Sequence, residues 1–564
     1  MRVVRWGFLS VFALTAALAA GGFLMPQTAV ARIDAAKMNA SAAKTARPNG
    51  RRQAAQVEQL GRVDFAISCT PDAQKTFNTA LALLHNFQYQ QAEQTFSQVA
   101  QQDPTCAMAY WGKAMPLYHQ LWDWPSADTL KEGYQDTIQA QNLRAQTERE
   151  RMYIVAAGVF FQNNPNLSRA SRIKAYSDWM GRIFTKYPDD VNAGAFYALS
   201  LITLQGKKAD QDANRQQAID ILNKLMAVAP DNPGVLHYLI HAADTPELAP
   251  QGLVAARRYA KLAPDSSHAL HMPSHIFVRL GLWQEAIQSN LAAEVAAAKA
   301  TQAGTADASY QFHAMDFLNY AYLQSGQQAK AEAIVSELAS VPGASKQEIA
   351  ENQANDEARN ALELHQWKQA ASLQVPDGAV HARDTFWVRA IGGARTGDIT
   401  GATQDIKNLQ QAEANSGVWN EGARQNVPDA AKLWQTAWLS IPAEEAQAWL
   451  DYAQGKNQKA IKAMLAAAKK EEADGVDSLT MPAREMLGDM LRDMKKPIEA
   501  LAEYRRALAE SPNRFDSLYG AAQAAQLAGR TTEARSYLAK LVKVCGVDAD
   551  RPELQQARTE LARK

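Results

Sequence analysis

Three cysteines in 564 residues leave no material for a cysteine-rich metal centre or a dense disulfide framework. Charge of one sign is also missing. The 59 lysines and arginines are matched by 59 aspartates and glutamates, so no global field draws the chain toward nucleic acid or an anionic membrane. Beyond the first few tens of residues no apolar run is long enough to cross a bilayer. No stretch alternates strictly between apolar and polar residues, which argues against a strand-rich domain. Nucleotide-binding glycine loops and the nucleophile elbow GxSxG are absent as well. So is HExxH, because His237 is followed by Tyr-Leu-Ile-His with no glutamate to act as a base. A metal-dependent hydrolase would have to take its base from elsewhere, with Asp244, Glu247 or Asp316 nearest.

What is present starts with an export-type N-terminus. Arg2 and Arg5 precede an apolar run from Trp6 to Met25, followed by Ala29-Val30-Ala31. Residues 1–31 read as a signal peptide, or as an uncleaved N-terminal anchor, since the run just reaches spanning length. Residues 32–62 are small, polar and basic and read as a disordered leader. The expected location is periplasmic or secreted, with inner-membrane anchoring as the alternative.

A chain of this length exceeds one compact core, and a repeat search resolves it into helical hairpins. Residues 73–106 carry Ala80, Tyr89, Ala92, Phe96 and Pro104 in the frame of the 34-residue tetratricopeptide repeat (TPR). Small residues let the two helices of a hairpin approach, the large one fills the space between repeats, and proline ends the second helix. The same frame fits 481–514 (Gly488, Ala500, Tyr504, Ala507, Pro512) and 515–548 (Gly529, Ala534). In the middle, 267–300 keeps Gly281, Ala286 and Ala293, and 312–342 keeps Gly326 and Ala331. Segment 233–266 keeps Pro264 but has TPELAPQG in place of the usual turn. Degenerate pairs fill 107–135, 140–186, 191–228, 351–375, 384–414 and 430–470. The fold class is therefore all-α, a right-handed TPR-type superhelical solenoid of antiparallel helix pairs. Residues 63–375 form its N-terminal and central part and 376–548 its C-terminal part, with a helical tail over 549–564. Softer joints are expected near 375–384 or 415–430. The working surface of such a solenoid is the concave groove lined by the first helix of each pair.

Cys69 and Cys106 flank the first repeat and lie at the same end of its hairpin. A disulfide closing that loop would stabilise the fold by about 4 kcal/mol; the alternative is two unpaired small residues at helix ends. Cys545 is left over as a buried thiol.

Ten histidines are present, and five fall between residues 237 and 275. His237 and His241 are one turn apart on one helix face, as are His271 and His275. The two pairs are offset by 34 residues, one repeat. Adjacent first helices pack about 8–10 Å apart, so four imidazoles can converge. These four are the candidate metal ligands, with His268, His313, Asp244 and Asp316 as secondary candidates. Asp244 can ligate or orient a ligating ring. His85 and His119, again 34 apart, share a groove position in the first repeats. Neutral imidazole suits zinc, copper, nickel or iron. Two plainer readings stay open: the rings bind a peptide's carboxylate or backbone, or they hydrogen-bond across adjacent helices. Pro273 within HALHMPSHIF must kink or restart its helix and deprive Leu270 or a neighbour of a backbone donor. The aromatics Tyr110, Trp111, Tyr118, Trp122 and Trp124 read mainly as packing between repeats, and the methionines at 108, 115 and in MPAREMLGDMLRDM as core.

The blocks CAMAYWGKAM (106–115), HYLIHAAD (237–244), LAPDSSHALHMPSHIFVRLG (262–281), HAMDFLNYAYLQSG (313–326), MPAREMLGDML (481–491) and SPNRFDSLYGAAQAAQLAG (511–529) resemble a group of exported bacterial TPR proteins over residues 65–545. The resemblance implies the solenoid and export, makes the histidine blocks a hallmark, and implies no particular activity. One departure is ENQANDEARNALELHQWKQA (351–370), more polar than the group's pattern. The functional expectation is an exported scaffold whose histidine-lined groove binds a divalent transition metal, or a small ligand. The alternative is a metal-free scaffold for a protein or peptide partner, with a metal-dependent enzyme as the third reading.

Overall fold

The computed structural model describes residues 59–121, 124–376, 379–419, 429–474 and 479–563. The expected signal peptide and most of the leader lie outside these residues, as do Trp122 and parts of the two expected joints. Residues 58–564 form one compact unit.

Antiparallel helix pairs follow one another along the chain, from Pro71–His85 with Tyr89–Gln102 to Phe515–Leu527 with Thr531–Cys545, and Pro552–Ala562 closes the series. Among the described residues there is no strand and no helix long and apolar enough to cross a membrane. The repeat residues do what the pattern requires. A Cβ on Gly112 would lie 2.1 Å from the Phe96 ring, so glycine there lets neighbouring hairpins close. Gly281, Gly326 and Gly529 each end a first helix with φ of +63°, +73° and +75°, the left-handed turn that a side chain disfavours. Trp111 and Tyr118 are buried packing residues, Trp111 stacking on Phe65 and Tyr118 on Phe160. Met108, Met115, Met486 and Met490 are core. Cys69 and Cys106 are bonded, with Cα atoms 5.2 Å apart, and Cys545 is a buried free thiol whose pKa burial pushes up to about 12.

The superhelix winds tightly enough to meet itself. At the N-terminal end, Arg62 N–H donates to Asp231 O (2.8 Å) and Asn192 donates to Asp64 O (3.0 Å). The turn of the first hairpin lies against Pro233–Ala243, where Tyr259 and Tyr310 hydroxyls donate to Asn86 and to the Phe87 carbonyl. At the other end, Trp283 donates to Asn513 O and Asn513 to Gly281 O (2.9 and 3.0 Å). Asp550 N–H reaches Gly326 O at 2.9 Å. The stretch of concave face that carries His237, His241 and His268 is therefore not an open trough: it is roofed by the chain's own first hairpin.

The polar departure at 351–370 has a structural reason. Its helix Lys346–Glu363 buries Asp356, Asn360 and Glu363, and each is engaged. Asn360 accepts from Asn319, Asp356 from Arg359, and Glu363 from Arg514. Arg514, fully buried, donates to Glu363 (2.8 and 3.0 Å), to Glu485 (2.8 and 2.9 Å) and to the Tyr320 hydroxyl (2.7 Å). One arginine thus ties the central hairpins to the C-terminal ones. Glu363, Glu485 and Asp516 cluster closely enough to hold a cation, but Arg514 and Arg551 already supply the positive charge.

Candidate metal centre

Two caps set the register of the histidine helices. Asn232 accepts from Val235 N–H and starts Pro233–Ala243, while Ser266 accepts from Ala269 N–H and starts Ser267–His271. In place of a glycine turn, TPELAPQG ends the first helix at Asp244, and the Thr245 hydroxyl accepts from Leu248 N–H. Asp244 thereby sits just past the helix end, free to reach across to the next hairpin. Pro273 splits the following helix into Ser267–His271 and Pro273–Arg279. Beside this break the Leu270 carbonyl accepts from the Ser289 hydroxyl.

The four histidines singled out as one ligand set do not form one set. Three nitrogens from His237, His241 and His268 lie within 4.8 Å of one another, and so do three from His271, His275 and His313. His268 and His271, three residues apart on the short helix Ser267–His271, meet different neighbours, His237 and Asn290. His268 faces the preceding hairpin and His271 the following one. The two triads abut, with ring centroids 6.3 Å apart for His241–His275 and again for His268–His271.

Within each triad two Nε2 atoms meet at 3.0 Å, His237 with His268 and His271 with His275. The opposite edges of three of these rings are committed. His237 Nδ1–H donates to the His85 carbonyl at 2.6 Å, and His275 Nδ1–H to Asp244 Oδ2 at 2.9 Å. His271 Nδ1–H donates to Asn290 Oδ1 at 2.7 Å, and the Asn290 amide donates in turn to Ala286 O. Those bonds place a proton on Nδ1 of each ring, so in its neutral form each ring presents a lone pair at Nε2. The His271 and His275 Nε2 atoms meet at 3.0 Å, close enough to share one proton or one cation between them. His241 Nε2 is buried with no hydrogen-bond partner. A carbonyl, a carboxylate and an amide oxygen behind the rings are the partners that orient metal-bound imidazoles.

Burial disfavours the imidazolium. It lowers His237 to about 3 and His313 to about 4, and holds His241, His268 and His271 well below the usual value. Neutral imidazole, the ligating form, therefore prevails at neutral pH. Asp244 stays ionised: burial alone would raise it, but Arg279 (2.9 Å) and His275 hold it well below the carboxylate range. Each triad also has an apolar lid. Phe87 lies 4.3–5.6 Å from the rings of His237, His268 and His241, and Phe317 lies 4.6–5.1 Å from those of His275, His271 and His313.

The other candidates separate clearly. Asp244 orients His275 and sits outside both triads. Asp316 does not join them either. Its carboxylate accepts from Arg359 and Asn355 and lines a separate cavity of about 250 Å³ with Glu445 and Trp387. His85 is spent on Tyr238 and Asn192 (2.9 and 3.0 Å), and His119 stacks on Tyr89, so the 34-residue spacing of that pair marks repeat packing. His268 and His313 move from secondary candidates to full members. Sequence reading missed Asn290, Arg279 and the His85 carbonyl. Arg279 was visible one turn beyond His275, whereas Asn290 on a second helix and a carbonyl some 150 residues away leave no local signal.

No family model matches the chain, and no curated protein matches it in sequence. Among solved structures, the human IFIT1 dimer with m7Gppp-AAAA is similar at 14% identity and a TM-score of 0.35, over 82% of this chain and 95% of that one. A monomeric IFIT1 mutant with Gppp-AAAA gives 14% identity and a TM-score of 0.34, over 84% and 95%. Likeness at this level carries nothing about the site. The helix pairs, their turn glycines and their stacking establish the TPR-type solenoid on their own.

Proposed function

We propose that this chain is an exported TPR-type scaffold that holds a divalent transition metal in the histidine chamber between residues 237 and 313. One observation carries the reading: the His271 and His275 Nε2 atoms face each other at 3.0 Å, each ring held from behind by an acceptor on Nδ1. Tetrahedral coordination with metal–nitrogen bonds of about 2.0–2.1 Å separates ligand nitrogens by about 3.4 Å, so the rings need to part only slightly to admit an ion. Neutral nitrogen donors favour zinc, copper, nickel or iron over magnesium or calcium. The plainer reading, rings satisfying one another across helices, needs one extra proton between His271 and His275 Nε2 where the metal reading needs an ion.

Export rests on the sequence at the N-terminus, and it places the metal in the cell envelope or outside the cell. Three nitrogens per triad leave a position for water or another ligand, which would let the scaffold present the metal to a partner.

Elemental analysis of the full chain, purified without a histidine tag, tests the proposal. The protein should carry transition metal in stoichiometric amount and lose at least half of it on replacing His271 and His275 with alanine. Metal content unchanged in that variant, or absent from protein challenged with zinc and copper, would sink it.

A further inference from the structure

The proposal above concerns metal binding at the chamber; resting on that reading, we infer that the chamber is built for two ions, one per triad, which share a small anionic ligand. Each half has its own complete equipment. The first triad, His237, His241 and His268, has a 3.0 Å Nε2 contact, the His85 carbonyl behind one ring and Phe87 over its face. The second, His271, His275 and His313, has a 3.0 Å Nε2 contact, Asn290 and Asp244 behind two rings and Phe317 over its face. The six nitrogens fall into two groups of three, each group within 4.8 Å, so each triad can hold an ion of its own. Three donors saturate neither zinc nor copper, so each ion retains an open position.

Geometry and charge then choose the ligand. The triads touch through His241–His275 and His268–His271, so the two ions are near neighbours. Six neutral imidazoles cancel none of the four positive charges that two divalent ions bring. The adjacent carboxylate, Asp244, is ion-paired to Arg279, and Arg215 donates to the His241 carbonyl at 2.8 Å. The local field is therefore strongly positive once loaded, and it calls for a small anion between the ions, hydroxide in plain water.

Copper(II) is the probe. Full-length, untagged protein is loaded to saturation and its copper counted, alongside His268→Ala and His313→Ala, each of which damages one triad. Two equivalents are expected for the unsubstituted chain and one for each variant. The EPR spectrum of the unsubstituted chain should show reduced intensity or a half-field line from paired spins, and the variants an ordinary isolated copper(II) signal. Saturation at one equivalent, or loss of all copper from either single variant while circular dichroism is unchanged, overturns the two-ion inference and leaves metal binding intact. Full isolated-spin intensity at two equivalents overturns the sharing of a ligand. Should a variant fail to fold, the count and spectrum of the unsubstituted chain decide alone. No bound copper at all defeats the parent reading instead.

Discussion

Arg514→Ala is expected to loosen the C-terminal hairpins by about 3–5 kcal/mol, the cost of removing one partner from a buried ion cluster. Two carboxylates, Glu363 and Glu485, would be left inside the protein without their direct ion-pair partner. Both have about 1% or less of their side chains exposed, so solvent cannot substitute for the guanidinium. Tyr320 would lose its donor, leaving the bond from Phe515 N–H to Gln324 Oε1 to tie the helices Ser309–Gln324 and Phe515–Leu527 at this point. Amide hydrogen exchange across residues 515–562 reads the effect, with protection expected to fall more than a hundredfold. Arg514→Lys should recover only part of it, because an ammonium cannot form paired bonds to two carboxylates. A change below tenfold in Arg514→Ala would mean that the cluster does not close the superhelix.

Asp244→Asn should weaken metal binding by about 10–100-fold, the usual consequence of removing the group behind a ligating ring. The carboxylate both accepts from His275 Nδ1–H and pairs with Arg279, so the substitution frees the ring and the guanidinium together. Competition with a chromophoric chelator measures the change. Asp316→Asn is the matched control, since Asp316 is committed to Arg359 and Asn355, and it should alter affinity less than threefold. Equal losses in the two variants would show that nearby negative charge matters and ring orientation does not.

The solenoid was legible because hairpin packing leaves residues of fixed size at fixed spacing, and Gly281, Gly326 and Gly529 all take the left-handed turn that the spacing demands. The histidine face was legible for the same reason, as a 34-residue offset reproduces a position in adjacent helices. The sorting of the rings was not. It depends on the break that Pro273 makes and on which neighbouring hairpin each of His268 and His271 meets, neither of which a repeat frame encodes. The roof was illegible too. It arises because the superhelix is tight enough to bring Phe87 and the His85 carbonyl onto His237, a contact between the first hairpin and the fifth. Asp316 misled for a related reason: it follows His271 by the same step as Gly326 follows Gly281, but Arg359 on a neighbouring helix claims its carboxylate.

The claim that most needs testing is that imidazole nitrogens themselves form the metal's inner shell. X-ray absorption at the metal edge of the zinc- or copper-loaded, untagged chain addresses it directly. Three nitrogen neighbours at about 2.0–2.1 Å, with the outer-shell scattering of imidazole carbons, is the spectrum expected. An all-oxygen shell without that outer scattering would place the ion on surface carboxylates and contradict the account.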